Sequence, residues 1–291
     1  MKPAPFTYHA PALLEDALAI LGDTAQDDGR VLAGGQSLVP MMALRLAQPA
    51  HLVDIGRIDG LGDLIEDSAG LTIGALVRHQ RFHAPVVEGV LGRLLRYVSS
   101  HIAHLPIRLR GTFCGSLANA DPASEWCLVA ATLNARMTAR RRGETRVIAA
   151  ADFFDGVMAT ALSPDEILTG VQIPHPLPGT KVGFYEFSRR AGDFALAMSL
   201  VSYRIEGGVV TDPRIGLGGV EEYPRRIAQA EEIVAGQPLE SDVLERTAEA
   251  TAAAIAPLVD HHTSAAYRRD LARIAVLRAF ARAAQGEPAD G

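Results

Sequence analysis

A short apolar run, Arg30-Val31-Leu32-Ala33, leads directly into Gly34-Gly35-Gln36-Ser37, and a second apolar stretch, Leu38 to Leu46, follows at once. This order constrains the chain more than any other feature. It reads as a strand, a tight loop and a helix, with Pro40 suited to the helix's opening turn. Adjacent glycines permit positive φ and let a ligand come close to the backbone. Successive N–H groups in such a turn form a nest for phosphate oxygens, and the helix behind it adds the positive end of its dipole. Ser37 adds a hydroxyl. A plain strand-to-helix turn would use the same residues. The G-x-G-x-x-G dinucleotide fingerprint is absent, as is a phosphate loop ending in Gly-Lys-Ser/Thr.

The densest small-residue stretch is Arg110 to Glu125, leading to Trp126. Its backbone can lie against a ligand, and Thr112, Ser116 and Asn119 offer hydroxyl and amide groups. Asp121 and Glu125 can accept hydrogen bonds from sugar-like hydroxyls. Asp121-Pro122 also reads as a capping aspartate before a helix-opening proline, so Glu125 is the better candidate for a ligand hydroxyl. The two loops lie about 80 residues apart, beyond local turn logic. Together they suggest a dinucleotide lying between two lobes.

With 291 residues and 48% apolar content, the chain can bury a core, and two domains are expected. A net charge of −6 disfavours nucleic acid, which needs a basic face. No apolar run of about 18 residues exists, so no transmembrane segment is expected. Nor does Met1-Lys2-Pro3-Ala4-Pro5 open a signal peptide, so a cytoplasmic location is expected. Two cysteines, Cys114 and Cys127, exclude a disulfide framework. They are also too few to hold an iron–sulfur cluster alone.

Helical spacing of Leu13, Leu14, Ala17, Leu18 and Leu21 predicts a helix over 12–21. Strands are expected at 51–55 and 71–75, and a helix over 86–104 with Val90, Leu91, Leu94, Leu95 and Val98 on one stripe. A helix at 126–133, a hairpin at 137–148 around Arg142-Gly143 and a strand at 167–173 follow. Pro174, Pro176 and Pro178 forbid a helix and mark a domain boundary. Beyond them, 195–205 and 209–220 read as strands paired through Gly207-Gly208. Helices are expected at 225–235, 244–256 and 265–284.

Four separated motifs now resemble one family. They are Ala33-Gly34-Gly35-Gln36-Ser37-Leu38; Gly111-Thr112-Phe113-Cys114-Gly115-Ser116 with Ala120-Asp121-Pro122-Ala123-Ser124-Glu125; Arg189-Arg190-Ala191-Gly192-Asp193-Phe194-Ala195; and Ser264-Ala265-Ala266-Tyr267-Arg268. In this order they resemble the FAD-binding medium subunits of molybdenum hydroxylases. Carbon monoxide dehydrogenase is the nearest type, and the flavin domain of xanthine dehydrogenase a more distant relative. The resemblance covers nearly the whole chain. It implies an α+β fold: a two-lobed FAD-binding domain (PCMH-type) at 1–176, with lobes about 1–57 and 58–176. A small C-terminal domain at 177–291 would be an antiparallel sheet covered by helices.

The resemblance also implies roles. Leu32 through Leu38, by the backbone of Ala33, Gly34, Gly35, Gln36 and Ser37, would hold the pyrophosphate of a non-covalent FAD. Thr112, Cys114, Gly115 and Ser116 would line the opposite side. Asp121 and Glu125 would take hydroxyls, Glu125 that of the ribityl chain. Ile102 would pack on the isoalloxazine; Leu168, Asp193 and Phe194 would lie near it. Partner subunits would carry the rest: a large one the molybdenum cofactor, a small one two iron–sulfur clusters, as a dimer of heterotrimers. This chain would take electrons from the clusters and pass them to an external acceptor.

Three positions depart from the family. Cys114 stands where many relatives have glycine; the loop works through its N–H, although a thiol beside a flavin could be redox-active. Leu109 replaces a common asparagine and loses a loop-bracing hydrogen bond. Tyr185 falls near a lysine of distant relatives. Two other functions remain in play. A stand-alone flavin oxidoreductase would need an acid–base group over the ring, and none is identifiable. A scaffold that had lost FAD is opposed by intact Gly34, Gly35 and Gly115.

His101 and His104 sit at one helix end, as a metal pair or, in the plainer reading, as helix-terminal residues. His261-His262 reads as a surface turn and Arg140-Arg141-Arg142 as a solvated tip. Arg268, Arg269, Arg273 and Arg278 read as a solvated helix face or a partner contact.

Overall fold

A computed structural model describes residues 2–260 and 263–286. The chain begins with a parallel sheet. Strands β1 (Thr7–His9), β2 (Gly29–Leu32) and β3 (His51–Asp54) lie in the order β1-β3-β2. Helix α1 (Leu14–Thr24) buries Ala17, Leu18 and Leu21 against it, one stripe at helical spacing. Helix α2 (Leu38–Ala43) follows the first glycine loop, with Pro40 in its opening turn.

The second unit is an antiparallel sheet of five strands, ordered β4-β5-β10-β6-β7. They are β4 (Leu64–Asp67), β5 (Gly70–Gly74), β6 (Arg136–Arg141), β7 (Glu144–Ala149) and β10 (Ile167–Pro174); β8 (Phe154–Gly156) and β9 (Ala159–Thr160) pair separately. Helices α3 (Gly89–His101), α4 (Leu105–Arg108), α5 (Phe113–Asn119) and α6 (Glu125–Thr132) complete it. Leu91, Leu94, Leu95 and Val98 form the buried stripe of α3. Each such side chain contributes about 2 kcal/mol by leaving water. Every residue of α6 is buried, which explains its apolar sequence.

The third unit is an antiparallel sheet, β11 (Lys181–Ser188), β12 (Ala195–Glu206), β13 (Val209–Gly218) and β14 (Arg225–Arg226), in that order. Helices α7 (Ala228–Val234), α8 (Ser241–Ala253) and α9 (Ala265–Gln285) cover one face. The other face joins the preceding core: Phe184, Met198 and Leu200 pack with Leu94 and Trp126 in one cluster. The fold is thus α+β, with a helix-covered antiparallel sheet at its C-terminal end.

Several expectations need correction. The stretch around Cys114 is not all loop, because Thr112 caps α5. Asp121 does not cap α6; Ser124 precedes that helix, and Asp121 closes a turn, its Oδ1 accepting from Ala123 N (2.9 Å). The helix expected from Arg225 starts at Ala228, because Arg225 and Arg226 pair with β13 as a strand. Arg268 is not solvated. It is buried and donates to the carbonyls of Leu196 (2.8 Å) and Gly219 and to Asp260. His101 closes α3, whereas His104 precedes α4. No cluster of three or more metal-ligating side chains occurs among the described residues. The expected His261-His262 turn lies outside the described residues.

Candidate functional site: two glycine loops in contact

The two glycine loops meet. A Cβ on Gly34 would strike the Arg110 carbonyl oxygen and stand 2.8 Å from Gly111 Cα, so only glycine lets these backbones touch. Gly35 has φ +71, which a side chain resists. Gln36 Nε2 donates to Gly34 O (3.1 Å) and holds the turn. The first helical bond of α2 runs from Val39 N to Gly35 O (3.1 Å). The amides of Gln36, Ser37 and Leu38 therefore precede the helical ladder, as an anion-binding turn requires. Ser37 is exposed; Leu32, Ala33 and Leu38 are half-buried.

The second loop is braced from behind. Its backbone pairs with residues 77–79: Phe113 N donates to Val77 O (2.9 Å) and His79 N to Gly111 O (3.0 Å). Thr112 Oγ1 accepts from Gly115 N (3.0 Å), capping α5. Arg78 donates to Leu109 O (3.2 Å) and braces the loop there. Behind the loop, Trp126 Nε1 donates to His79 Nδ1 (3.0 Å). Trp can only donate, so His79 is neutral with its proton on Nε2. Burial, aided by the Arg108 charge, lowers the His79 pKa to about 4. Phe82, Phe113 and Trp126 pack at tilted angles into an aromatic floor.

Cys114 points away from this surface. Its Sγ lies buried, 3.5 Å from Ile73 O and 3.6 Å from Gly74 O, and burial pushes the thiol pKa well up. It is an inert core thiol, so only its backbone can face a ligand. Gly115 and Ser116 are half-buried.

A third segment joins the loops. Ile102, buried at the end of α3, is followed by Ala103 at φ 40. Arg108 NH1 holds this turn through Ile102 O (2.8 Å) and Ala103 O (2.9 Å). Gly192 lies against it: a Cβ there would stand 2.6 Å from His104 Nδ1 and 2.9 Å from Ala103 O. Asp193 and Phe194 follow Gly192 directly in the chain, and Phe194 is 73% exposed. Leu168 is buried on β10, the strand against which α5 packs.

Three carboxyls are also raised in pKa. Glu125 opens α6 and is 8% exposed. Desolvation and the Asp121 charge raise its pKa. Burial raises that of Asp121 as well. Glu186 on β11 is raised further, by burial and then by the Glu125 charge. Strand alternation sends Tyr185 and Phe187 toward α9, where Arg278 and Arg282 sit over the Tyr185 ring (5.6 and 5.2 Å). Phe184 and Glu186 face the other way; Phe184 meets His101 and Tyr97 of α3. Glu186 therefore shares the Phe184 face of the strand, opposite Tyr185. Glu186, His79 and Arg108 were missed in the sequence, since none lies in a glycine motif.

Chemically, the site offers amides for a pyrophosphate, buried acceptors for hydroxyls and apolar surface for a ring. Known proteins resemble this chain along nearly its whole length. The family described as FAD binding domain in molybdopterin dehydrogenase matches residues 4–176, and CO dehydrogenase flavoprotein C-terminal domain matches 183–283. The nicotine 6-hydroxylase medium subunit of Paenarthrobacter nicotinovorans is 37% identical, over 97% of this chain and 99% of its own. The carbon monoxide dehydrogenase medium chain of Afipia carboxidovorans is 34% identical, over 97% and 98%. Among solved structures, carbon monoxide dehydrogenase from Hydrogenophaga pseudoflava superposes with a TM-score of 0.93, at 32% identity over 98% of this chain and 99% of that one. Quinoline 2-oxidoreductase from Pseudomonas putida 86 gives 0.91, at 35% identity over 98% and 99%. The chain belongs to the FAD-binding medium subunits of the molybdenum hydroxylase family, oxidoreductase flavoproteins of the carbon monoxide dehydrogenase type.

Proposed function

We propose that this chain relays electrons within a three-subunit molybdenum hydroxylase. It takes them from iron–sulfur clusters on a small partner subunit and delivers them to an external acceptor. A large partner would carry the molybdenum cofactor and hydroxylate the substrate, with two heterotrimers pairing in the cytoplasm. Domain limits at 1–176 and 177–291, with lobes meeting near residue 57, fit this reading. The relatives' names, which span nicotine, caffeine and carbon monoxide oxidation, support the shared subunit plan rather than one substrate.

The observation that carries the reading is the backbone contact of Gly34 with Arg110 and Gly111, which fuses two amide-bearing turns into one cradle. Bound FAD would supply a carrier that takes electrons singly and yields them in pairs. The residues present fit it. The amides from Gly34 to Leu38 would hold the pyrophosphate, with Thr112, Gly115 and Ser116 opposite. Asp121 and Glu125 would accept hydroxyls. Ile102, Leu168 and Phe194 would enclose the ring and exclude water, Asp193 fixing the turn beneath Phe194. Among the described residues no acid–base group is assigned to substrate chemistry, which suits a relay.

The test is reconstitution of the purified chain with FAD, followed by calorimetry. One FAD per chain supports the reading; no binding, alone or with partner subunits, refutes it.

A further inference from the structure

Resting on that reading, the wall that Ile102 gives the flavin ring depends on how α3 ends, and the C-terminal domain reaches that end. Helix α9 carries Ala275, Ala279 and Ala283 as one buried stripe of small residues. The stripe lets the helix lie directly on β11. A Cβ on Gly183 would strike the Ala279 carbonyl and stand 2.6 Å from Ala283 N, so backbone touches backbone there. Arg278 and Arg282 lie one turn apart on the same helix. Strand β11 is the edge of its sheet, so a long side chain from α9 can reach past it.

Arg282 does so. Its Cζ stands 5.2 Å from the ring centroid of Tyr185, in its own domain, and 4.9 Å from that of Tyr97, on α3 of the FAD-binding domain. The guanidinium is half-buried and forms no ion pair among the described residues. A planar, weakly hydrated cation suits such ring contacts, and desolvation strengthens them. Arg278 lies over Tyr185 (5.6 Å) and over no ring of α3 among the described residues. Tyr97 passes the contact on. Its ring meets His101 edge-on at 4.7 Å, and its carbonyl accepts from His101 Nδ1 (3.1 Å). His101 also meets Phe184 of β11 edge-on at 5.1 Å. Ile102 is the next residue and leaves the helix in an extended conformation.

We infer that Arg282 is a positioning residue for the flavin ring: it clamps Tyr97 of one domain to Tyr185 of the other and so fixes the last turn of α3, from which Ile102 packs on the isoalloxazine. The clamp acts through Tyr97, His101 and Ile102 and touches no cofactor atom. Loss of the cation leaves α3 anchored by its buried Leu94, Leu95 and Val98, so the fold survives. The final turn gains freedom instead. FAD binding must then order that turn itself, which weakens affinity and loosens the ring's surroundings.

The test titrates FAD into the full-length chain, or into the assembled complex where only that retains flavin. Fluorescence gives the affinity, visible circular dichroism of the bound flavin reports the ring's surroundings, and thermal melts verify the fold. Arg282→Met keeps the stem and removes the cation; it should weaken FAD binding roughly three- to tenfold and change the visible spectrum. Arg282→Lys, a cation without a flat face, should fall between it and wild type. Tyr97→Phe, which keeps the ring, should match wild type. Tyr97→Leu should lose at least as much as Arg282→Met, and adding Arg282→Met to it should weaken binding no further. Arg278→Met is the control: it removes a cation from the same helix and the same Tyr185 ring without crossing to α3, and should leave affinity and spectrum unchanged. Equal behaviour of the Arg282→Met and Arg278→Met chains, both silent or both weakened, would overturn the proposal, and this pair decides it even where a Tyr97 variant fails to fold. Absence of FAD binding by wild type would instead remove the electron-relay reading, and this proposal with it.

Discussion

Gly34→Ala tests the joined-loop geometry with one methyl group. The new Cβ would meet backbone on the far side, the Arg110 carbonyl and Gly111 Cα at 2.8 Å, and not a side chain that can swing away. Arg110 and Gly111 cannot retreat freely. Gly111 N donates to Ile107 O (2.8 Å), its carbonyl accepts from His79 N (3.0 Å), and His79 is fixed by Trp126. Overpacking against fixed backbone costs about 1–3 kcal/mol. Most of this should appear as parting of the loops, hence as a roughly 5- to 150-fold loss of FAD affinity, at about 1.4 kcal/mol per factor of ten. The assay is a flavin titration by calorimetry, with thermal melts of the apoprotein alongside. Gly22→Ala is the control: it lies in α1 with nothing within 4 Å of an added Cβ, and should leave FAD binding unchanged. Wild-type affinity for Gly34→Ala would refute the argument that loop contact makes the cradle.

Gly35→Val should abolish FAD binding, since φ +71 resists a β-branched side chain, and flavin absorbance after purification reads this directly. Thr112→Ala should destabilise the protein by about 1 kcal/mol through loss of the α5 cap, with Thr112→Ser restoring most of it in urea melts. Arg268→Met should cost about 2–4 kcal/mol, by orphaning the Leu196 and Gly219 carbonyls and Asp260, in the same assay. His79 makes stability pH-dependent. Its folded pKa of about 4 lies below the unfolded value of about 6.5, so the neutral ring's contribution is present above pH 6.5 and lost as pH falls toward 4. Urea melts should show a decline of about 3 kcal/mol from this residue across that window, and a flat profile would refute it.

The glycine loops were legible because their chemistry is local: adjacent glycines after a strand, then a helix. The α3 stripe and the β6–β7 hairpin were legible for the same reason, through period and turn residues. Strand β11 was not, because it is buried on both faces, Phe184 against α3 and Tyr185 and Phe187 toward α9, so no alternation of polarity survives. Helix α5 hid behind Gly115 and its small neighbours, whose weak helix propensity is overcome by the Thr112 cap and by burial of Phe113 and Leu117. Arg268 looked solvated because helix spacing alone cannot reveal two carbonyls 72 and 49 residues away. His79 meets Trp126 across 47 residues of chain, and only the folded structure brings the two together.

The central claim is that this chain carries FAD as one part of a molybdenum and iron–sulfur assembly. Purification of the tagged chain from its native cells, with an absorption spectrum and metal analysis of the eluate, tests it most directly. Flavin bands with iron, molybdenum and two further subunits are predicted. A yellow protein eluting alone, without metals, would contradict the relay and point to a stand-alone flavoenzyme; a colourless one would contradict the FAD site itself.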